Sequence, residues 1–243
     1  MKVAVISDIH SNRQALEAVL DAIAASEAEE LWCLGDLVGY GADPDFCVEL
    51  LREHAAVCLA GNHDLAITGE LPLEDFSRGA SLAAKWTGEV MRPENVAFLA
   101  ELRPSGEEGP VGLYHGSPRD PVWEYVLSAL LAELCIDAQS GRVSLIGHSH
   151  VALSFERREG ELTTGEPRRE GAEIDLSEGQ WLLNPGSVGQ PRDGDPRAAW
   201  LLLDLDDWRA SYHRVKYDIA GAAGAIRAAR LPESLAERLE YGQ

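Results

Sequence analysis

Short apolar runs, each ending at a polar block, recur along the chain up to His150. The run Met1–Asp8 carries Val3, Ala4, Val5 and Ile6 in succession and predicts a buried strand that ends at Asp8. Ala15, Leu16, Val19, Leu20 and Ile23 then recur at helical spacing, and Ser11-x-x-Gln14 ahead of them reads as a capping box. Leu31–Leu34, Ala55–Ala60, Val111–Tyr114 and Val143–Ile146 each predict a further strand. Phe76 to Leu102 is mostly helical in pattern, with Pro93 suited to the first turn of its second helix, and Leu127–Ala138 predicts another. Beyond His150 the pattern changes. Val151–Glu156, Gln180–Leu183, Ala198–Leu205 and Ala210–Val215 predict antiparallel strands, and the polar stretch Glu156–Glu178 predicts a loop. Ile219–Arg230 and Pro232–Leu239 close the chain as two short helices. Strands alternating with helices imply an α/β fold, with strand tips gathered on one edge of a sheet and helices on both faces. No internal repeat or linker interrupts this plan, so residues 1–243 are expected to form one domain.

Composition narrows the function. Apolar residues make up 45% and charged residues 26%, an ordinary globular balance. No apolar run reaches the ~18 residues of a membrane span. The apolar stretch at the N-terminus runs straight into Asp8 and His10, unlike a secretory signal, so a cytoplasmic protein without membrane contact is expected. A formal net charge of −20 opposes binding to a nucleic-acid polymer but leaves room for a small anionic substrate. Cys33, Cys47, Cys58 and Cys135 lack close C-x-x-C spacing and read as reduced, buried small hydrophobes.

The polar blocks carry the chemistry. Five of the seven histidines fall in Asp8-Ile9-His10, Gly61-Asn62-His63-Asp64, His115-Gly116 and Gly147-His148-Ser149-His150, with Gly35-Asp36 between the first two. Imidazole and carboxylate are ligands that borderline and hard divalent metals share. Alternation along an extended segment puts Asp8 and His10 on one side, although D-x-H alone also suits a helix cap followed by a surface histidine. Asp36 has two oxygens and can bridge two cations, which a neutral histidine cannot. Asn62 offers a neutral amide oxygen, and the adjacent His63 points elsewhere, so it is read as a proton-handling or phosphate-contacting group. His148 and His150, two apart after an apolar strand, form the most specific block; His115 alone decides nothing. His54 and His213 have no motif partners and read as structural or surface residues. Tyr40, Asp64, Arg192 and Asp193 are candidates for shaping a pocket, and most of the six tryptophans read as core.

The ordered set D-x-H, G-D, G-N-H-D, H and G-H-x-H, followed by Asn184-Pro185-Gly186-Ser187-Val188-Gly189, resembles the calcineurin-like metallophosphoesterase superfamily. Within it the likeness is to small prokaryotic phosphoesterases of the YfcE-like or diadenosine-tetraphosphatase-like kind. The resemblance implies a four-layer α/β/β/α sandwich with mixed sheets and a dinuclear metal centre. It implies that Asp8, His10, Asp36 and His150 hold one ion, and that Asp36, Asn62, His115 and His148 hold the other. The implied cofactors are two divalent transition-metal ions (Mn, Fe, Zn, Ni or Co). The implied reaction is attack of a metal-bridged hydroxide on a phosphodiester or small phosphomonoester, with His63 assisting the leaving group. A non-catalytic scaffold of the same fold, binding a protein partner, is the alternative, although such proteins usually lose ligands. One departure from the pattern matters. Protein phosphatases and symmetrical tetraphosphatases of the superfamily carry an Arg soon after G-D, whereas Leu37-Val38-Gly39-Tyr40-Gly41 has none. A bidentate phosphate clamp is therefore missing at that position.

Overall fold

The computed structural model describes residues 1–243 and contains two mixed six-stranded sheets. In the first, β1 (Lys2–Ile6) lies between β2 (Glu30–Cys33) and β11 (Ala198–Asp204); β3 (Val57–Cys58) adds to β2, and β12 (Arg209–Val215) and β9 (Glu173–Asp175) add to β11. In the second, the order is β4 (Ser105–Glu108), β5 (Val111–Tyr114), β6 (Val143–Leu145), β10 (Gln180–Pro185), β7 (Ala152–Arg157) and β8 (Thr164–Pro167). Each sheet has a parallel trio, β1, β2 and β3 in one and β5, β6 and β10 in the other. The remaining strands pair antiparallel.

Burial on both faces explains the uninterrupted apolar strands. Val3 and Val5 point into a core shared with Leu113, Leu145 and Leu183 of the opposite sheet. Ala4 and Ile6, one residue out of phase, pack under the outer helices. Those helices are α1 (Arg13–Ala24), α2 (Pro44–His54) and α5 (Pro93–Glu101), which set Leu16, Val48 and Leu99 against the first sheet. On the far side, Ala132, Cys135 and Ile136 of α6 (Ala129–Ala138) cover Phe155 and Leu182 of the second sheet. The result is the four-layer α/β/β/α sandwich. The Tyr212 hydroxyl donates to the Leu153 carbonyl at 2.8 Å and ties the two sheets together. A separate cluster joins α4 (Arg78–Val90), α7 (Ile219–Ala228) and α8 (Glu233–Tyr241) through Ala83, Ala222, Ile226 and Leu239. No helix is long and apolar enough to cross a membrane.

Several local expectations change. The polar blocks end strands of two sheets, not of one, because the shared core turns both parallel edges the same way. Ser11 does not cap α1. It adopts a left-handed φ of 53°, and the Asn12 side chain accepts from Ala15 N–H at 3.1 Å instead. The polar segment Glu156–Glu178 contains β8, exposed throughout, and β9, whose one buried apolar residue, Ile174, is too little to signal a strand. Asn62, His63 and Asp64, for which the sequence pattern predicts no element, begin a short helix, α3 (Asn62–Ile67). All four cysteines are free, and Cys58 is only partly buried.

Candidate metal centre

Each strand of the two parallel trios delivers one polar block to the same place. From the first sheet come Asp8 and His10 after β1, Asp36 after β2 and Asn62 after β3; from the second come His115 after β5 and His148 and His150 after β6. All seven side chains are at most 3% exposed. Nine non-glycine residues adopt positive φ, and seven of them are here: Asp8, His10, Ser11, Asp36, Tyr40, His148 and His150. Left-handed backbone is costly for residues with a Cβ and persists where surrounding contacts over-determine it. The strand tips are thus bent to aim side chains inward.

Two groups of ligand atoms result. Asp8, His10, Asp36 and His150 place one each within 4.8 Å of one another, and Asp36, His115 and His148 do the same. Asp36 belongs to both. Its Oδ2 lies 3.5 Å from His10 Nε2 and 3.6 Å from His115 Nε2, while its Oδ1 accepts the His63 backbone N–H at 2.9 Å. Asn62 Oδ1 joins the second group at 3.3 Å from His115 Nε2.

Backbone carbonyls set the tautomers. The Nδ1–H groups of His10, His115 and His150 donate to Val38, Leu34 and Gln190 carbonyls at 3.0, 2.9 and 2.6 Å. Their Nε2 atoms are therefore bare lone pairs. His10 and His150 point these lone pairs at each other across 3.0 Å. Burial holds both rings well below the usual histidine pKa, so no proton relieves the contact at neutral pH. Two facing lone pairs repel unless a cation lies near both. The carboxylates make the same demand. Burial raises Asp8 to about 7, and burial followed by the Asp64 charge raises Asp36 well above its ordinary value. Asp8 Oδ1 has no hydrogen-bond partner. This donor set fits divalent metal.

Supporting residues lock the cradle. Asp64 accepts from Leu37, Val38 and Gly61 N–H groups at 3.2, 3.1 and 2.8 Å, stitching the Asp36 loop to α3. A Cβ at Gly61 would sit 2.0 Å from Asp36 Oδ1, so only glycine permits the approach. The downstream Asn184–Gln190 segment ends β10 and continues past it at the same edge. Its Ser187 hydroxyl donates to the Asp8 carbonyl at 2.8 Å, and Asn184 donates to Gly147 O at 2.7 Å.

The centre opens into a cleft of about 420 Å³. His63 lies beside it, packed between Tyr40 (centroids 4.4 Å apart) and Phe76 (5.2 Å). Burial first, then the charge of Arg192, lower its pKa to about 3, so the ring is neutral. Of the other pocket candidates, Tyr40 and Arg192 line the cleft and Asp64 sits behind it, whereas Asp193 turns away to pair with Arg214. His213 stacks on Trp200, and His54 ends α2. Phe76, Trp123, Tyr125 and Arg238 also line the cleft and were not foreseen. Aromatic residues clustered in the polar segment around Trp123 were the available signal; for Arg238 there was none.

Comparison with known proteins agrees with this geometry. The sequence profile of the calcineurin-like phosphoesterase superfamily domain matches residues 1–207. An uncharacterized protein of Methanocaldococcus jannaschii is 40% identical over 247 aligned positions, spanning 99% of this chain and 98% of its own. The crystal structure of a metallophosphoesterase from Sphaerobacter thermophilus is 40% identical with a TM-score of 0.90, covering 100% of this chain and 99% of that one. A hypothetical protein from Pyrococcus horikoshii shares the fold at 21% identity and a TM-score of 0.80, over 100% of this chain and 98% of its own.

Proposed function

Because the chain belongs to the calcineurin-like phosphoesterase superfamily, we propose that it hydrolyses a small phosphoester, a diester or a monoester, with two divalent metal ions. The facing lone pairs of His10 and His150, framed by Asp8 and Asp36, are the observation that carries this reading. Asp8, His10, Asp36 and His150 would hold one ion; Asp36, Asn62, His115 and His148 would hold the other. Bound ions of this kind supply Lewis acidity and make water nucleophilic near neutral pH.

The chain's own residues do the rest. The carbonyls of Val38, Leu34 and Gln190 keep three imidazoles in the ligating tautomer. Asp36 divides its oxygens between the His63 backbone N–H and the two ligand groups, so one carboxylate couples the ligands to α3. His63, neutral and clamped between aromatic rings, is placed to donate a hydrogen bond to a phosphoryl or leaving oxygen. An arriving anion would raise its pKa and strengthen that bond. The net charge of −20 supports a small substrate over a nucleic-acid polymer, and we place the protein in the cytoplasm. A scaffold role would be favoured by lost ligands, and none is lost.

The test is hydrolysis of bis(p-nitrophenyl) phosphate and p-nitrophenyl phosphate by purified protein loaded with Mn²⁺, alongside metal analysis. Turnover that tracks bound metal is the expected result. Folded, metal-loaded protein inert toward both esters, and with other divalent metals, would sink the proposal.

A further inference from the structure

The cleft holds a cationic feature that two metal ions do not need. Arg192, two residues after Gln190, donates through Nη2 and Nε to Gln190 Oε1 at 2.8 and 3.3 Å. Arg238 comes from the closing helix α8 and donates through Nη1 to the same oxygen at 3.1 Å. Two guanidinium groups thus converge on one neutral amide oxygen. Neither meets a carboxylate, in a chain whose acids outnumber its bases 41 to 21. Burial first, and the neighbouring Arg192 charge second, lower the Arg238 pKa, and the groups that act against them are the phenols of Tyr40 and Tyr125, not carboxylates. Like charges held together in a partly dry site await an anion.

Location says which anion. Gln190 is 1% exposed, and its backbone carbonyl fixes His150, so the residue whose side chain gathers the arginines also braces a candidate metal ligand through its main chain. The Arg192 backbone N–H donates to His150 O at 3.0 Å, and its guanidinium lies 5.7 Å from the centre of the Tyr40 ring, which packs on His10 and His63. Arg192 therefore reaches the cleft across the Tyr40 ring from His10 and His63, and Arg238 lines the same cleft. Arg238 lies beyond residues 1–207 of the shared family domain, in the closing segment of this chain.

We propose that Arg192 and Arg238 form a subsite for a second, non-scissile phosphoryl group, so that the substrate is a small phosphoester carrying two phosphates. This rests on the phosphoesterase reading for the scissile group but not for the subsite itself. Guanidinium pairs recognise phosphate through forked, charge-assisted hydrogen bonds. The guanidinium absent after Gly35-Asp36 thus has a counterpart from distant segments, aimed at a different part of the substrate.

Two measurements on the full-length protein test it. Inorganic pyrophosphate titrated calorimetrically into metal-free protein should bind, and Arg192→Gln and Arg238→Gln should each weaken binding about tenfold or more, with Arg238→Lys losing less. No binding, or equal affinity in wild type and both Gln variants, overturns the subsite. The second measurement compares thymidine 5′-(p-nitrophenyl phosphate) with its 3′-phosphorylated form, both with Mn²⁺. Arg238→Gln should raise KM for the doubly phosphorylated ester about tenfold more than for the other. Equal effects on both esters would assign the arginine to the scissile group or to packing and overturn the proposal. If metal-loaded wild type cleaves neither ester, the pyrophosphate titration still decides the subsite, and the phosphoesterase reading is decided by the two p-nitrophenyl esters above.

Discussion

The two halves of the candidate metal centre share Asp36 and are otherwise built differently. The first half adds a second carboxylate, Asp8, and two imidazoles whose Nδ1–H groups are pinned to carbonyls. The second half adds no further carboxylate, and only His115 is pinned in that way. His148 reverses the pattern. It turns Nδ1 toward His115 at 3.2 Å, and its ring lies under Tyr125, stacked at 4.1 Å and itself 43% exposed. With two ions bound as proposed, more negative charge and fixed tautomers would give the first half the higher affinity for a divalent cation. An ion held by the second half, against the cleft wall, would be expected to exchange first. In a centre of this kind, ligand identity sets what can bind, and bracing of the ligands sets how firmly.

Removing the shared residue should produce the largest effect. Asp36→Asn is expected to cost both ions and bring turnover to background, read by metal analysis with kinetics; one ion retained with normal turnover would mean the halves are independent. Splitting the centre comes next. Asp8→Asn should weaken both, since emptying the tight half removes the charge that fixes Asp36. His148→Ala should leave one firmly held ion and abolish most activity. Equal metal content in the two variants would erase the difference between the halves. His63→Ala should keep both ions and lower kcat by roughly 10²–10⁴-fold, the range for losing a proton-handling group. Unchanged turnover would remove that role.

Acidity offers a gentler probe. Burial raises Asp8 to about 7 in the metal-free protein, above the ordinary 3.8. A folded-state value above the unfolded one means that the metal-free fold loses stability as pH rises from about 4 through 7. Metal binding runs the other way, because the proton competes with the ion. The rise in Tm on adding Mn²⁺ should therefore grow between pH 5 and pH 8, and a flat response would contradict the assignment of Asp8 to the tight half. Smallest of all, Tyr125→Ala should loosen only the second ion, by a few-fold to about tenfold, as bracing interactions do.

Much of the centre was legible in the chain because each ligand follows a strand of a parallel trio, and such strands advertise themselves as unbroken apolar runs. Asp8, Asp36 and His148 could be found in that way. Their arrival from two sheets could not, since periodicity reports that a face is buried and not which element buries it. Asn12 capping α1 in place of Ser11 turned on a backbone angle that no residue pattern encodes. Asp193 looked like a pocket residue by proximity to Arg192, yet its carboxylate pairs with Arg214 on β12. Arg238 sits on a short amphipathic helix where a solvated arginine is ordinary, and only the packing of α7 and α8 against α4 brings it to Gln190.

The placement of β1 has a consequence for how the protein is made. Its register pairs Lys2 with Asp204 on one side and Val3 with Glu30 on the other. At about 5–20 residues per second, the ribosome leaves some 10–40 s between the emergence of this strand and that of its second neighbour. For that interval β1 is an open edge of apolar residues. The Asp8–His10 tip it carries must wait just as long for the Ser187 hydroxyl and the Gln190 carbonyl that later hold Asp8 and His150. A newborn chain thus carries its first candidate ligands before the contacts that will hold them have been made.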